Sequence, residues 1–504
     1  MSSRLTPLDL TVVVAYVLAT TLLALWFARR QRALSTYFVG DRNVSWWLVL
    51  ASIVATETST VTFLSTPGLA FNPAGGNLTF LQLSFGYVIG RVLVAWLLLP
   101  QYLRGELFSA YQLLRQRFNP AVQRTASGLF LITRTVADGL RLYLTGLLLQ
   151  QVTGWGIEFS IMVMGLVTIA YTYLGGMQAV IWTDLLQFLI YLAGAVVAAA
   201  CIVRLMPGGL HDFLAGGEQA HKFTLLNFST DPREKYTLWS GVIGGALFSM
   251  ASHGADQLMV QRYLCARSLG QARAALVLSG VVVMLQFLLF LLIGVGLYVL
   301  WTQGTLLLKP DEVKNTDTVF GVFIIRHLPQ GVVGLVVAAV LAAAMSTLSS
   351  SLNSSANAFV TDFYRPLRAG RAEVHYLFVS KFMTGFWGLA QTAVALATLR
   401  IGSDESVINQ VLTVAGFTTG MILGLFLLGS LKQPVRSEAA QVGLVCGFLA
   451  VSAVWAPSLR GKEYAIVAWP WYAPIGTVVT VAVGWLVDRA RAVSPQTPPP
   501  PAKE

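Results

Sequence analysis

Long apolar runs follow one another along most of this chain, separated by short polar segments. A helix of about 20 apolar residues is long enough to cross a lipid bilayer. Thirteen runs of roughly this length are present, at residues 8–29, 45–71, 78–103, 125–150, 157–174, 178–206, 237–261, 274–302, 330–361, 376–399, 406–430, 439–457 and 468–487. The pattern predicts an all-α polytopic membrane protein with about 13 transmembrane helices.

The composition agrees with this prediction and excludes other classes. Hydrophobic residues make up 55% of the 504 residues and charged residues only 11%, whereas a soluble domain carries about 25% charged residues. The net charge of +11 comes from basic residues that are dispersed between the apolar runs, so no nucleic-acid partner is expected. The three cysteines lack the spacing of a zinc site or a disulfide framework.

The basic residues predict the orientation of the chain. Most Lys and Arg outside the runs lie in six alternate segments, at 29–42, 104–124, 262–273, 365–381, 432–436 and after 488. Basic loops stay on the cytoplasmic side, so we expect the N-terminus outside, the C-terminus in the cytoplasm and a plasma (inner) membrane location. The first run is too long for a signal peptide and ends in "ARRQR", which predicts an uncleaved helix. The Pro-rich residues 491–504 are predicted to be a disordered cytoplasmic tail.

Two of the runs contain polar residues near their centres. The second reads "VLASIVATETSTVTFLSTPGLAF", with Glu57 in the middle, and the seventh reads "GGALFSMASHGADQLMVQRYL". Paired discontinuous helices in inverted repeats mark the binding site of many transporters. We therefore expect one transporter domain over 1–490, with an extra helix at 8–29, repeats at 45–206 and 237–430, and two further helices at 439–487. The alternative is two kinked structural helices that pack through Gly and Ser.

The ninth run carries an unusual set of hydroxyl groups, with seven hydroxyl residues between positions 346 and 355. Positions three and four apart share one helical face, which predicts a polar stripe of Ala343, Ser346, Thr347, Ser350 and Ser354, with Ser349 and Asn353 beside it. Sodium is a hard cation that accepts neutral oxygen ligands. The stripe and the carbonyls freed by a helix break could bind sodium together, or the hydroxyls could join neighbouring helices.

Three stretches resemble the sodium/solute symporter family of sodium-coupled sugar, proline and sialic-acid transporters. They are "MSTLSSSLNSSANAFVTDFY", "YLGGMQAVIWTDLLQFLIYLAG" and "GADQLMVQRYLCARS". The resemblance extends over roughly residues 8–490 and implies a LeuT-type fold. It also implies a secondary active transporter, not an enzyme, that couples inward sodium flux to uptake of a sugar, sugar acid or amino acid by alternating access. Apart from sodium and the lipid bilayer, no cofactor or obligate protein partner is expected. A membrane sensor built on such a domain is the alternative.

The resemblance also implies two sodium sites. The first combines the backbone carbonyls of Ala55, Thr58 and Ala343 with the hydroxyls of Ser346 and Thr347. The second combines Asp184 with Ser346, Ser349 and Ser350. Spacing alone leaves Asp184 open to another interpretation, a solvated carboxylate near a helix start.

The fourth run suggests where the solute binds. Arg134, Asp138 and Arg141 lie on one helical face, and a mid-membrane arginine must be paired or hydrated. The resemblance makes Arg134 the candidate for a solute carboxylate, with Arg141 as competitor. Other candidate solute contacts are Glu57, Ser59, Thr62, Gln82 and His253. Two arginines against one aspartate predict an excess positive charge, and hence a carboxylate-bearing solute. If Asp138 and Glu57 neutralise both arginines, the solute is a neutral sugar or polyol, although Leu412 departs from the residue expected in a hexose site.

Overall fold

A computed structural model of the protein describes residues 5–28, 37–38, 42–104, 107–401, 406–433 and 435–493. Most of the basic segment 29–42 lies outside the described residues, as does the predicted disordered tail from residue 494 onward. The described part is helical, and its one β-bridge, between Val44 and Ala266, is isolated. The predicted all-α class is confirmed.

Fourteen helices form the body of the described residues. They are α1 (Pro7–Ala28), α2 (Trp46–Glu57), α3 (Thr60–Phe71), α4 (Gln82–Leu97), α5 (Pro120–Thr153), α6 (Ile157–Leu205), α7 (Gly245–Gly254), α8 (Gln257–Leu264), α9 (Leu269–Thr302), α10 (Val332–Phe359), α11 (Glu373–Ile401), α12 (Val407–Gly429), α13 (Ser437–Trp455) and α14 (Tyr472–Val493). Shorter α-helices cover Leu99–Leu103, Gln112–Arg117, Leu210–Gln219, Pro310–Lys314, Val319–His327 and Arg365–Leu367. Single turns of 3₁₀ helix lie at Thr79–Leu81, Thr316–Thr318, Ala456–Arg460, Lys462–Tyr464 and Trp469–Trp471, and π-helical turns at Ser240–Gly244 and Val360–Tyr364.

Nine helices among the described residues are long and apolar enough to cross a membrane, or up to eleven if each of two bent pairs counts as one span. The predicted number of thirteen is therefore not confirmed. One difference lies at α5 and the start of α6, which form a single pair bent by 115°. The other is the seventh run, whose halves of 10 and 8 residues are each too short to cross a bilayer alone.

The first predicted break lies between α2 and α3, whose axes differ by 60°. Thr58 and Ser59 both have extended backbone there, which ends one helix and starts the next. The second lies between α7 and α8, where Asp256 is extended and its Oδ1 accepts a 2.8 Å hydrogen bond from the Leu258 amide. At the second break the Asp256 side chain offers the backbone an alternative to helical hydrogen bonding, whereas at the first break the Thr58 hydroxyl bonds to Gln286 and Ser59 forms no side-chain cap.

The long helix α6 contains a third interruption. Gly176 has φ 59° and ψ −177°, a conformation that a residue with a Cβ atom adopts only under strain. This glycine belongs to the "YLGGMQAV" stretch and falls between the predicted runs 157–174 and 178–206, so the predicted boundary is confirmed. The break directs the second part of α6, which carries Asp184, along α10.

Helix α10, with its hydroxyl stripe, is the most enclosed of the candidate spans. In its most apolar window 89% of the residues are buried, against 22% in α1. It packs against α1, α5, α6 and α11 and also contacts the broken helix α2/α3. A hydroxyl-rich helix at this position cannot face lipid, so its polar groups must be satisfied by the neighbouring helices.

Candidate functional site

The break between α2 and α3 exposes backbone carbonyls, as the sequence predicts. The last backbone hydrogen bond of α2 runs from the Thr58 amide to the Val54 carbonyl, and the first of α3 from the Phe63 amide to the Ser59 carbonyl. The carbonyls of residues 55–58 therefore lie outside both helical ladders. The Thr347 hydroxyl reaches this point and donates to the Thr56 carbonyl at 2.9 Å and to the Ala343 carbonyl at 3.3 Å.

This contact places Thr347 and Ala343 of the predicted first sodium site against the break, and the other predicted ligands are buried as well. Ala55, Ala343, Ser346 and Thr347 are all fully buried, and so is Thr58. The Thr58 hydroxyl donates to Gln286 Oε1 at 2.8 Å, so its side chain points away from α10 while its carbonyl remains outside the ladder. Neutral hydroxyls and freed carbonyls bind a monovalent hard cation weakly enough to release it.

Asp184 is not a solvated helix-start carboxylate. Its side chain is completely buried, and Oδ1 accepts a 2.6 Å hydrogen bond from the Ser346 hydroxyl on α10. Oδ2 accepts a 2.5 Å bond from the Ser52 hydroxyl on α2. The carboxylate therefore joins α6 to α2, the first half of the first broken helix, and to the hydroxyl stripe.

The cation beside Asp184 in this structure is an arginine of the chain itself. Arg262, on α8, is buried and its Nη2 lies 3.1 Å from Asp184 Oδ2. Its Nε donates to the Ser52 hydroxyl at 2.9 Å and its Nη1 to the Leu258 carbonyl at 2.7 Å. Nη2 also donates to the hydroxyls of Thr56 and Ser350.

Arg262 therefore binds to oxygen atoms of Asp184 and Ser350 that were predicted to be ligands of the second sodium ion. The Ser350 hydroxyl accepts from the guanidinium, and the Ser349 hydroxyl donates back to the Ser346 carbonyl of its own helix at 3.2 Å. The sequence interpretation placed Arg262 in a cytoplasmic basic segment at 262–273, and the structure corrects this. A buried guanidinium supplies the positive charge that the buried carboxylate needs.

A cavity opens where the two broken helices face α5. It holds about 970 Å³ of space, including its opening to solvent. Much of its wall is apolar, with Phe80, Tyr87, Phe248, Phe287 and Leu412 among the lining residues. The polar part of the wall includes Glu57, Ser59, Thr62, Arg134, Arg141, Ser252, His253 and Asp256.

Two arginines of α5 line the cavity, and both are paired. Arg134 Nη2 forms an ion pair with Asp256 at the break of the second broken helix, and its Nη1 lies 3.8 Å from Asp138 Oδ1. Arg141 Nη1 forms an ion pair with the same Asp138 oxygen. Two other polar atoms of this Arg141–Asp138 pair, Arg141 Nε and Asp138 Oδ2, are buried and have no hydrogen-bond partner among the described residues.

Glu57 does not pair with the arginines of α5. Its Oε2 forms an ion pair with Arg91 of α4 and lies 3.5 Å from His253 Nε2. Arg91 is completely buried and donates from Nη1 to the Ser279 hydroxyl at 2.6 Å. Three guanidinium groups therefore meet three carboxylates around the cavity, those of Glu57, Asp138 and Asp256. The predicted excess of positive charge is not present, because Asp256 supplies the counter-charge that the sequence interpretation had not assigned.

The structure separates one predicted solute contact from the others. Ser59 and Thr62 line the cavity with Glu57, Arg134, Arg141 and His253, but Gln82 does not. The buried Gln82 amide donates to the Thr79 and Tyr236 carbonyls, each at 3.1 Å, and its Oε1 accepts from the Asn227 amide at 3.1 Å. Its hydrogen bonds hold the segment that follows residue 220 against the start of α4, so its side chain is engaged outside the cavity in this structure.

A lysine outside the predicted spans binds the C-terminal end of α3, the second half of the first broken helix. Lys222 Nζ donates to the carbonyls of Ala70, Phe71 and Asn72 at 2.9–3.2 Å, where α3 ends. It also lies 3.9 Å from the centre of the Tyr298 ring. A cation at a helix C-terminus is favourable. Burial nevertheless lowers the pKa of Lys222 from its ordinary value to about 8.

Sequence reasoning missed three of these partners, Arg91, Arg262 and Asp256, as members of the site. All three appear in the sequence as charges inside or beside apolar runs, which is the signal that marks functional or paired groups in membranes. Their partners are distant along the chain, so spacing within one helix could not identify them.

Comparison with known proteins agrees with this architecture. A profile of the sodium:solute symporter family matches residues 37–447. The human sodium/iodide cotransporter is 32% identical over 445 residues, which cover 87% of this chain and 68% of that protein. The sodium/sialic acid symporter of Aliivibrio fischeri is 28% identical over 481 residues, or 94% of this chain and 91% of that protein. The solved structure of a substrate-bound, outward-open sodium-coupled sialic acid symporter matches with a TM-score of 0.86 and 27% identity, over 97% of this chain and 99% of that chain.

The fold, the two helix breaks and these matches define a multi-pass membrane transporter. This chain belongs to the sodium:solute symporter family. The predicted LeuT-type architecture and the sodium-coupled transport of a small-molecule solute are confirmed, with sodium as the coupling ion.

Proposed function

We propose that this symporter takes up a small organic solute that carries a carboxylate, and that Arg141, assisted by Arg134, binds this group. The observation that carries the proposal is the unsatisfied guanidinium of Arg141 in the cavity. Only its Nη1 donates a hydrogen bond to a described residue, and its buried Nε has no partner there. A planar guanidinium with free N–H groups suits a carboxylate in two-bond geometry.

The names of two relatives support an anionic group on the solute. One relative is a sodium/iodide cotransporter and the other a sodium/sialic acid symporter, and iodide and sialic acid are both anions at neutral pH. The cavity wall at Leu412 is apolar, which fits a solute with an apolar body better than a hexose with hydroxyls on every side.

The first sodium ion in this proposal binds at the break between α2 and α3. Its ligands are the carbonyls of Ala55, Thr58 and Ala343 and the hydroxyls of Ser346 and Thr347. The contact between Thr347 and the freed Thr56 carbonyl supports this assignment, because it places the hydroxyl stripe against the break. A second sodium at Asp184, Ser346, Ser349 and Ser350 requires that Arg262 first moves away from Asp184.

The proposed orientation follows the distribution of basic loops, with the N-terminus outside, the C-terminus in the cytoplasm and the protein in the plasma membrane. In this scheme residues 1–490 form one transporter domain that acts without an obligate protein partner. In this scheme sodium flux moves the solute through the cavity, and the protein acts as a transporter rather than as an enzyme or a sensor.

Uptake into proteoliposomes tests the proposal. We expect an inward sodium gradient, but not a potassium gradient, to drive uptake of carboxylates from a panel that also contains neutral sugars and polyols. Replacing Arg141 with Lys should impair uptake nearly as much as replacing it with Ala, by about tenfold or ~1.4 kcal/mol, because a point charge cannot reproduce the guanidinium fork. Arg267, which is exposed, provides the matched control, and its replacement with Lys should leave uptake unchanged. Competition by neutral sugars but not by carboxylates would contradict the proposal.

A further inference from the structure

Glu57 is the most accessible of the three carboxylates that surround the cavity. Its side chain is 16% exposed, against 8% for Asp256 and 0% for Asp138. Both oxygens of Asp256 are occupied, one by Arg134 and the other by the Leu258 amide. Glu57 uses only Oε2, for Arg91 and His253, and Oε1 accepts no hydrogen bond from any described residue. A carboxylate oxygen therefore faces the cavity with its acceptor capacity free.

The position of Arg91 explains how this carboxylate can remain charged. Arg91 is completely buried and is not among the residues that line the cavity. It approaches Glu57 from the side of α4 and α9, where Ser279 holds its second nitrogen. A buried guanidinium on this side stabilises the ionised form of Glu57 and leaves the opposite side of the carboxylate open to a ligand.

His253 lies beside this carboxylate. Its Nδ1 is 2.9 Å from the Ser252 hydroxyl, which is itself 3.3 Å from the Ser249 carbonyl. Nε2 is buried, has no hydrogen-bond partner among the described residues and lies 3.5 Å from Glu57 Oε2.

The free oxygen of Glu57 belongs to a carboxylate, which accepts hydrogen bonds and has no donor of its own. An ammonium group has three N–H donors and a positive charge, so it matches this oxygen better than a hydroxyl, which has one donor and no charge. We propose that the solute is zwitterionic, with an ammonium group bound by Glu57 and a carboxylate bound by Arg141. This inference rests on the proposed function, since it adds a second charged group to the same carboxylate-bearing solute.

The charge balance of the cavity fits this class of solute. The guanidinium groups of Arg91, Arg134 and Arg141 equal the three carboxylates in number, so a zwitterion adds no net charge to a wall that is already neutral. The aromatic and aliphatic side chains of Phe80, Phe248, Phe287 and Leu412 would contact an apolar body between or beside its charged groups. An amino acid with an aliphatic or aromatic side chain has this combination.

A matched set of ligands tests the inference on the purified full-length chain. The set contains alanine, leucine, phenylalanine and β-alanine, each compared with its hydroxy and des-amino analogue. Binding is measured in sodium chloride and in choline chloride from the ligand-dependent rise in the thermal unfolding midpoint. At least one amino acid should bind tenfold or more tightly than both of its analogues, and only in sodium.

The variant Glu57→Gln should weaken binding of that amino acid tenfold or more and change binding of its des-amino analogue less than threefold. Because this variant leaves Arg91 buried without a counter-ion, the double variant Glu57→Gln/Arg91→Gln is measured beside it and should show the same loss of selectivity. A rise in the thermal unfolding midpoint when sodium alone is added verifies that each variant is folded.

Two other results overturn the inference and remain distinguishable. If the hydroxy or des-amino acids bind as tightly as the amino acids, or if Glu57→Gln weakens all three classes equally, the ammonium site is wrong while the carboxylate proposal stands. If no carboxylate in the set binds in sodium, the proposed function and the inference both fail.

Discussion

The strongest structural prediction concerns Arg262, because its side chain is a buried charge that has one carboxylate, Asp184, as its counter-ion among the described residues. Replacement with Gln removes the positive charge and shortens the side chain, so the contacts to Ser52, Leu258 and Ser350 are lost with the ion pair to Asp184. Asp184 would keep its hydrogen bonds from Ser346 and Ser52 but would lose its counter-charge in a buried position.

The expected cost follows from breaking one side of a buried ion pair. Removing one partner of such a pair costs about 3–5 kcal/mol, because the other charge is left uncompensated. The double variant Asp184→Asn/Arg262→Gln removes both charges and should recover much of this loss, with a coupling energy of about 2–3 kcal/mol between the two positions. The exposed Arg267, five residues along the chain, is the control, and Arg267→Gln should change stability by less than about 0.5 kcal/mol.

Reversible unfolding of the purified protein in mixed detergent micelles measures these free energies. If Arg262→Gln costs less than about 1 kcal/mol and the effects of the two substitutions simply add, Arg262 and Asp184 are not coupled. In that case Asp184 is available to bind sodium without displacing an internal cation, and the arrangement around Arg262 described above is wrong.

Two further predictions concern the coupling ion and the C-terminal end of α3. If Asp184 binds a second sodium after Arg262 moves away, Asp184→Asn should lower the number of charges carried per solute in proteoliposomes; an unchanged charge-to-solute ratio would contradict this. For Lys222, the folded pKa of about 8 lies below the ordinary value of 10.5, so between these values the unfolded chain keeps a proton that the folded chain has lost, and stability rises with pH. The thermal midpoint of the wild type should therefore rise relative to that of Lys222→Met as pH increases from 8 toward 10, and parallel curves would refute this.

The sequence was sufficient to locate both helix breaks and the hydroxyl stripe. A buried membrane helix with polar residues at its centre is costly unless those residues have a partner, so the residues around Glu57 and Asp256 marked the breaks directly. The contact between Thr347 and the freed carbonyl of Thr56 followed from the same chemistry, because a hydroxyl stripe and exposed carbonyls need each other.

The pairing of charges could not be read from the sequence in the same way. Spacing along α5 left open whether Asp138 pairs with one or both arginines, and in the structure Asp138 pairs with Arg141, Arg134 mainly with Asp256, and Glu57 with Arg91 on another helix. Arg262 lies beside exposed basic residues in the sequence, and hydropathy alone does not distinguish a buried arginine from a cytoplasmic one. These pairs depend on how helices from the two repeats meet, which is a property of the tertiary fold.

The number of membrane spans also could not be determined from the sequence alone. Apolar runs gave thirteen, yet the two halves of the second broken helix are each too short to qualify alone, and α5 joins α6 through a sharp bend. Length and hydropathy identify continuous spans well, but helices that are interrupted for binding lose the signal by which spans are counted.

The central claim is that sodium drives transport through the break between α2 and α3 and the hydroxyls of α10. The most direct measurement is the sodium concentration that gives half-maximal solute uptake in proteoliposomes for the wild type and for Ser346→Ala/Thr347→Ala. The account predicts an increase of tenfold or more, equivalent to about 1.4 kcal/mol, because both substitutions remove ligands of the same ion. An unchanged sodium dependence in a folded, transport-competent double variant would show that sodium binds elsewhere.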